Sequence, residues 1–264
     1  MLYKKNRSPK LDRELFRQPT AEYRGTPFWA WNCKLEQKEL EWQLEILKQM
    51  GFGGAHMHVR SGMATPYLSE EYMGLIKACV EKCKKEEMLA WLYDEDRWPS
   101  GAAGGLVTKD KEYRGRHLLF TPVPYGAGKE EAKGDGSTAA AVRTENGTLI
   151  ACYDVELNSE GYLISSRLIS EEELAQHEKW YAYLELLQES PWYNNQTYIN
   201  TLDKKAMDRF IEVTYESYNR TIAEEFDQTV PAIFTDEPQF SHKSTLKINS
   251  MRALICQWHQ CQQN

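Results

Sequence analysis

The chain has 264 residues, of which 41% are hydrophobic and 27% are charged, and its formal net charge at neutral pH is -7. This composition is typical of a globular protein long enough to bury a substantial core, as one large domain or two smaller ones. The acidic balance argues against nucleic acid as a partner. No stretch approaches the roughly 20 apolar residues of a membrane helix, and no apolar run follows the basic amino terminus, so we expect a cytoplasmic protein.

Two further features of the composition bear on chemistry. The six cysteines at positions 33, 79, 83, 152, 256 and 261 form no CxxC motif, which favours free thiols over disulfides or a zinc site. The chain is also rich in aromatic residues, with 8 Trp and 15 Tyr. Such rings can fill a large core or offer flat faces to sugars, and both interpretations stay open.

Strands and helices alternate over the first 105 residues. Short apolar runs predict strands at 26–32, 54–60 and 88–93. Between them, helical periodicity predicts a helix over 35–50 and another that begins after the N-cap Ser69. Strands that start about 30 residues apart are typical of the β/α units of a parallel barrel.

The β/α rhythm is interrupted after Gly105. Trp91 and the next strand of the same kind, at Phe234, are 143 residues apart. Most of the intervening sequence has the alternation and the turn residues of β structure; the runs lie at 117–121, 139–143, 148–157, 161–165 and 180–187. We therefore predict a small antiparallel β subdomain inserted into the barrel.

A helix is predicted over 202–226, ahead of the fourth strand. Its expected buried side is formed by Met207, Phe210, Ile211, Thr214 and Ile222. The last 26 residues contain no Asp or Glu. We expect the apolar residues of this tail to cover part of the edge of the parallel sheet; they are Leu254, Ile255 and Trp258.

These patterns together predict an α/β fold. It is a partial (β/α)8 TIM-type barrel of about four β/α units with an inserted antiparallel β subdomain. The expected divisions are 1–105 for the first three units, 106–190 for the insertion, and 191–264 for the barrel continuation with its tail. Because a complete barrel needs about 250 residues without insertions, we expect a truncated form that self-associates through the incomplete barrel edges.

Acidic residues follow two of the predicted strands. The third strand runs into Asp94, Glu95 and Asp96, and the fourth runs into Asp236 and Glu237. Strand alternation would place Asp94 and Asp96 on one face and Glu95 on the other, with Trp91 and Tyr93. Carboxylates this close raise one another's pKa unless cations such as Arg60 and Arg97 intervene. A solvated acidic turn is the alternative.

Glycoside hydrolysis requires one protonated and one ionised carboxyl group. We choose Glu237 as the acid, because Pro238 favours an extended backbone at Glu237 and so presents its side chain at the strand end. A structural salt bridge is the alternative. Asp94, Glu95 and Asp96 are the other candidate catalytic residues.

The second predicted strand places three polar side chains on one face. His56, His58 and Arg60 could bind hydroxyls or a carboxylate, or the histidines could ligate a metal; they could equally be hydrogen-bonded within the barrel core. In the loop after the third strand, Trp98 could stack on a sugar. Asn195 could offer an amide to a sugar, although a plain polar loop explains it as well.

Four motifs together resemble the bacterial glycoside hydrolases related to the family 106 α-L-rhamnosidases. They are PFWAWN at 27–32, GFGGAHMHVRSGMATPY at 51–67, WLYDEDRWPSGAAGG at 91–105 and FTDEP at 234–238. The resemblance implies a (β/α)8 catalytic barrel, inverting chemistry, often a calcium ion, and a chain that is the N-terminal part of a larger enzyme. It also implies that the acids after strands three and four are functional, with His56, His58 and Asn32 as sugar contacts.

We therefore predict a glycosidase that acts on a carbohydrate, such as a rhamnoside, by carboxylate acid/base catalysis, although this chain by itself is expected to be inactive. Ca²⁺ is the cofactor that the resemblance suggests. The expected substrate contacts are Asn32, Trp31, His56, His58, Arg60, Trp98, Asp236 and Asn195. One alternative is a metal-dependent TIM-barrel hydrolase or isomerase that uses His56, His58 and Asp236. Another is a non-catalytic carbohydrate-binding fragment.

Overall fold

The computed structural model describes residues 9–127 and 143–239, and the backbone of 244–248 and 251–257. The chain divides into two compact units. The first unit comprises Met1–Leu106 and Asp208–Pro238, and the second comprises Val107–Met207 and Gln239–Asn264. Trp258 and most of the strand predicted at 139–143 lie outside the described residues.

The described elements include five α-helices and ten strands. The helices are α1 Arg13–Arg17, α2 Gln37–Gln49, α3 Glu70–Lys85, α4 Lys204–Val213 and α5 Tyr215–Ile222. The strands are β1 Phe28–Trp31, β2 Gly54–Val59, β3 Leu89–Tyr93, β4 Arg116–Thr121, β5 Thr148–Leu157, β6 Leu163–Ile169, β7 Glu178–Leu186, β8 Ile233–Phe234, β9 Ser244–Ile248 and β10 Met251–Gln257. None of the described helices is long and apolar enough to cross a membrane.

The first unit contains a four-stranded sheet in the order β1-β2-β3-β8, and all its neighbouring strands are parallel. Phe28 pairs with His56, His56 pairs with Trp91, and Tyr93 pairs with Phe234. The prediction that the four strands lie side by side in parallel is confirmed. Closure into a barrel stays a prediction.

One face of this sheet forms the hydrophobic core with α2 and α3. Strand alternation directs Trp29 and Trp31 to this face, and both are buried in one cluster with residues of the two helices. The Trp29 indole N–H donates to Gln43 on α2, and Trp31 packs edge-on against Tyr72 of α3. Trp31 is 1% exposed. This burial removes Trp31 from the expected substrate contacts.

Local signals explain where the helix α3 begins and why β2 and β3 approach closely. The Ser69 hydroxyl accepts the Tyr72 N–H and so caps α3 as predicted. Gly54 leaves no room for a side chain, because a Cβ there would lie 2.2 Å from the Leu89 carbonyl oxygen on β3. The thiols of Cys79 and Cys83 are buried and free in the α3 side of the core.

The helix predicted over 202–226 is divided at Thr214, whose hydroxyl donates to the Phe210 carbonyl at 2.6 Å. Such a bond competes with the regular helical pattern and often bends a helix. Buried positions recur every four residues along α4 and α5; they are Ala206, Phe210, Thr214, Tyr218 and Ile222. Ile211 was predicted to be buried, and this was wrong, because it is 45% exposed.

The second unit contains a six-stranded sheet in the order β6-β5-β7-β4-β10-β9. Every neighbouring pair is antiparallel. The predicted antiparallel insertion outside the parallel sheet is therefore confirmed. The tail was expected to cover the parallel sheet edge, and this was wrong: Leu254 and Ile255 on β10 pair with β4. An antiparallel hairpin, β9-β10, can satisfy its backbone groups on an existing antiparallel edge.

Candidate functional site

The carboxyl ends of the four parallel strands carry most of the predicted site residues. Asn32 follows β1, Arg60 follows β2, Asp94 follows β3, and Asp236 and Glu237 come shortly after β8. Parallel strands end at one edge of their sheet, which is where α/β folds bind ligands. Asn32 and Arg60 are both exposed there.

Asp94 is a buried carboxyl group that gathers three hydroxyls. Its Oδ1 accepts the Ser100 hydroxyl at 2.6 Å, and its Oδ2 accepts Thr235 at 2.6 Å and Tyr215 at 2.9 Å. Burial raises the pKa of Asp94, and these donors act in the opposite direction. All three donors come from other elements, so Asp94 ties β3 to the following loop, to α5 and to β8.

Glu95 organises the loop that follows β3. Its carboxyl oxygens accept five backbone N–H groups at 2.5 to 2.9 Å; the donors are Asp96, Gly101, Ala102, Ala103 and Gly104. Burial raises the pKa of Glu95 to about 7, and the backbone donors lower it. Glu95 is 1% exposed. Its surroundings give it a structural role and leave no access for a substrate.

The predicted alternation of the three acids is not what the structure shows. Strand β3 ends at Tyr93, so the period of two no longer applies to Asp94, Glu95 and Asp96. Asp96 lines a separate cleft of about 310 Å³ with neighbours that include Thr65 and Tyr67. Both its ion-pair contacts are with Arg97, at 3.0 Å to Nε and 2.9 Å to Nη2.

Two histidines lie on the sheet face opposite the core, among aromatic rings. His58 stacks on Tyr93 at 4.0 Å between ring centroids, and His56 stacks on Trp91 at 5.0 Å. Phe28 contacts both imidazoles and is 60% exposed. Burial is the main cause that lowers the pKa of both histidines, to about 4 for His58, where Arg60 and His56 add to the effect. His58 is therefore neutral at pH 7.

Asp236 lies beside His58 and is held in place by its backbone. Its Oδ2 is 3.6 Å from His58 Nε2. The Asp236 N–H donates to the Ser100 hydroxyl oxygen, and its carbonyl accepts the Ser100 N–H, both at 2.9 Å. Since Ser100 also donates to Asp94, this serine connects the buried carboxyl group to Asp236. Burial and the neighbouring Glu237 raise the pKa of Asp236, and Arg60 lowers it.

Glu237 is exposed, and its Oε2 accepts the Trp98 indole N–H at 3.0 Å. The extended backbone that Pro238 predicts for Glu237 is not observed, because its φ is +42°. A left-handed conformation at a residue other than glycine costs roughly 1–3 kcal/mol and is often found at functional sites. The Trp98 contact is one interaction that this conformation makes.

The structure thus brings together His58, Asp94 and Asp236 through side-chain contacts and Ser100. Asn195 belongs to the second unit, where its N–H donates to the Ser190 carbonyl at 2.9 Å. Sequence reasoning missed the hydroxyls around Asp94 and the exposed ring of Phe28. Thr235 adjoins Asp236 in the sequence and could have been considered, whereas nothing local identifies Tyr215.

Neither calcium nor the metal of the alternative enzyme class has a fitting set of ligands here. Within 9–127 and 143–239, no three His, Cys, Asp or Glu side chains are arranged to hold a metal ion. His56 and His58 are stacked on Trp91 and Tyr93, and the single contact of His58 with Asp236 does not make a ligand group.

Comparison with known proteins gives little further information. No family model matches the chain, and no curated protein matches it. Among solved structures, it is similar to a rhamnosidase from Novosphingobium sp. PP1Y, with a TM-score of 0.35 and 12% sequence identity. That match covers 58% of this chain and 17% of the rhamnosidase chain.

Proposed function

We propose that the chain carries the site of a glycoside hydrolase. In this site Asp236 donates a proton to the leaving oxygen as the general acid, and Glu237 is the ionised carboxylate that acts as the base. The observation that carries this proposal is a pair of adjacent carboxyl groups in different environments. Asp236 is 16% exposed in its side chain and has a raised pKa, whereas Glu237 is exposed. Such a difference in burial between two carboxyl groups is a common basis for assigning one as the acid and the other as the base.

The proposal exchanges the roles expected from the sequence, where Glu237 was the acid. A general acid must still hold its proton near the working pH, and burial favours the protonated form of Asp236. In the hydrolytic step, Asp236 gives its proton to the leaving glycosidic oxygen as the bond to the anomeric carbon breaks. Glu237 accepts a proton from the attacking water.

The surroundings of the pair suit a sugar. Phe28 offers an exposed ring on the sheet face that carries His58, and Trp98 lies beside Glu237. Aromatic faces pack on the C–H groups of sugars, while Asn32 and Arg60 provide polar groups at the same edge of the sheet. Asp94 acts as a positioning residue for Asp236 through Ser100. The proposal includes the partial TIM-type barrel, because the four strands that carry the site are parallel.

This proposal departs from the expectation that the chain by itself is inactive, and its test is hydrolysis of a panel of nitrophenyl and alkyl glycosides, including an α-L-rhamnoside, by the purified chain. We expect Asp236→Asn to lower kcat on alkyl glycosides by about 10²–10⁴, and to lower it much less on nitrophenyl glycosides, whose leaving group needs little protonation. Glu237→Gln should lower both rates. The matched controls are Asp227→Asn and Glu224→Gln, two exposed acids of the first unit.

Three outcomes would contradict the proposal. Equal rates for Asp236→Asn and the parent on both substrate classes would show that Asp236 is not the general acid. A loss of kcat in the control variants as large as that in Asp236→Asn and Glu237→Gln would show that these two residues do not form the catalytic site. Saturable sugar binding, followed by intrinsic fluorescence, without turnover of any glycoside would contradict hydrolysis and favour the non-catalytic carbohydrate-binding alternative.

A further inference from the structure

The edge strand β6 of the second unit exposes apolar side chains on both of its faces. Leu163 is 63% exposed, Ile164 is 59% exposed and Leu168 is 64% exposed. In the part of the chain that the structure describes, β6 pairs with β5 alone. An open edge of this kind is a template for another strand.

Natural proteins usually protect such an edge with charges, prolines or bulges. Strand β6 has the sequence LISSRLI, with one charged residue and no proline. The register shift with β5 lies beyond Glu156, at the Leu163 end. The remainder of the strand is regular and is therefore suited to a partner.

We propose that β6 of one copy pairs antiparallel with β6 of a second copy, about a two-fold axis that passes beside Ser166. The sequence of the strand is nearly palindromic about this residue. In this register, Leu163 lies opposite the partner's Ile169, Ile164 opposite the partner's Leu168, and Ser166 opposite the partner's Ser166. Each exposed apolar residue is then matched by an apolar residue on the same face of the joined sheet.

Neighbouring registers fit less well. A pairing about Arg167 would set two guanidinium groups directly opposite each other, which is destabilising. A pairing about Ser165 would set Leu163 opposite the partner's Arg167. Registers whose axis lies between two residues are also excluded. Because successive side chains point to opposite faces of a strand, such a register would join one face of the sheet to the opposite face of the partner's sheet.

Charge also favours the register about Ser166. It places Arg167 opposite the partner's Ser165, a small residue whose hydroxyl donates to Glu156 on β5 at 2.9 Å. In the isolated chain the Arg167 side chain is 53% exposed and contacts Glu173 and Asp154. A long guanidinium side chain can extend across a serine toward the carboxylate beyond it. This edge is different from the barrel edges that the sequence suggested for self-association.

The first test is the oligomeric state of the purified chain, measured by sedimentation over a hundredfold range of concentration. We expect a dimer. We expect Leu168→Lys to raise its dissociation constant by more than about tenfold, because a lysine would replace the apolar contact between Leu168 and the partner strand. Leu174→Lys is the matched control, because Leu174 is 88% exposed in the same unit but lies outside β6. A monomer at every concentration would overturn the proposal, as would a dimer that Leu168→Lys leaves intact.

The second test reads the register. In a background with Cys33→Ser, Cys256→Ser and Cys261→Ser, which removes the exposed thiol among the described residues and both cysteines of the tail, Ser166→Cys should form a cross-linked dimer under mild oxidation. Residues directly opposite in antiparallel strands have Cα atoms about 4.5–5.5 Å apart, which a disulfide can bridge. Ser165→Cys should cross-link poorly, because its opposite residue is the partner's Arg167. Equal cross-linking of both variants would reject this register.

Discussion

His58 offers a test of the site that depends on protons rather than on a substrate. The imidazole is 2% exposed, and burial, Arg60 and His56 lower its pKa to about 4, against 6.5 for an ordinary histidine. The unfolded chain therefore binds a proton at this residue between about pH 6.5 and 4, while the folded protein does not. The contribution to folding stability is complete above pH 6.5 and is lost as the pH falls toward 4.

The size of this effect follows from the shift. A difference of about 2.5 pKa units corresponds to about 3 kcal/mol, most of which should be lost between pH 7.5 and 4.5. Asp236 has a raised pKa, so its own contribution changes in the opposite direction. For that reason the total stability curve is less informative than the difference between the parent and His58→Gln.

The assay is urea unfolding of the two proteins from pH 7.5 to 4.5. We expect the stability difference between the parent and His58→Gln to move by roughly 2–3 kcal/mol in favour of the variant as the pH falls over this range. Gly74→Ala, which changes no titrating group, is the control whose effect should be the same at every pH. A difference between parent and His58→Gln that does not vary with pH would refute the argument that burial keeps the His58 imidazole unprotonated.

The remaining predictions concern stability, measured by urea unfolding at pH 7.5. Gly54→Ala should lower the free energy of unfolding by about 2 kcal/mol or more, because its Cβ would meet the Leu89 carbonyl oxygen. Gly74→Ala should raise it by about 0.5–1 kcal/mol, since nothing lies within 4 Å of the added Cβ. Equal effects of the two variants would contradict the close approach of β2 and β3. Glu95→Ala should cost at least about 3 kcal/mol, because five N–H groups lose their acceptor, and the control Glu81→Ala, at an exposed helix position, should change stability by less than about 0.5 kcal/mol. A small effect of Glu95→Ala would show that the loop finds other acceptors.

The sequence was sufficient for the elements whose signals are local. The first three strands were located within a few residues, because each is a short apolar run bounded by polar or turn residues, and the start of α3 was marked by its cap, Ser69. The antiparallel insertion was recognisable for the same reason. The pairing of β10 with β4 was not, since the tail residues carry no signal that selects one sheet edge over another.

The site was predictable only in part. The position of the acids at strand ends follows from where the apolar runs stop, but their roles depend on distant partners. Asp94 meets Tyr215 and Thr235, which are 121 and 141 residues away along the chain. The five donors around Glu95 are backbone groups, which side-chain identity does not reveal. Neither the left-handed backbone of Glu237 nor the exposure of Phe28 could be inferred from a periodic pattern.

The inserted unit also affects the order in which the chain can assemble. Its entering and leaving segments are joined, since Gly115 donates to Tyr198 and Asn200 donates to Tyr113, both at 2.8 Å. Once these segments are paired, the loop that β3 and β8 must close shortens to roughly 55 residues, which lowers the entropic cost by about 1 kcal/mol. We therefore expect the insertion to gain protection before β8 in pulsed hydrogen exchange during refolding; simultaneous protection would contradict this order.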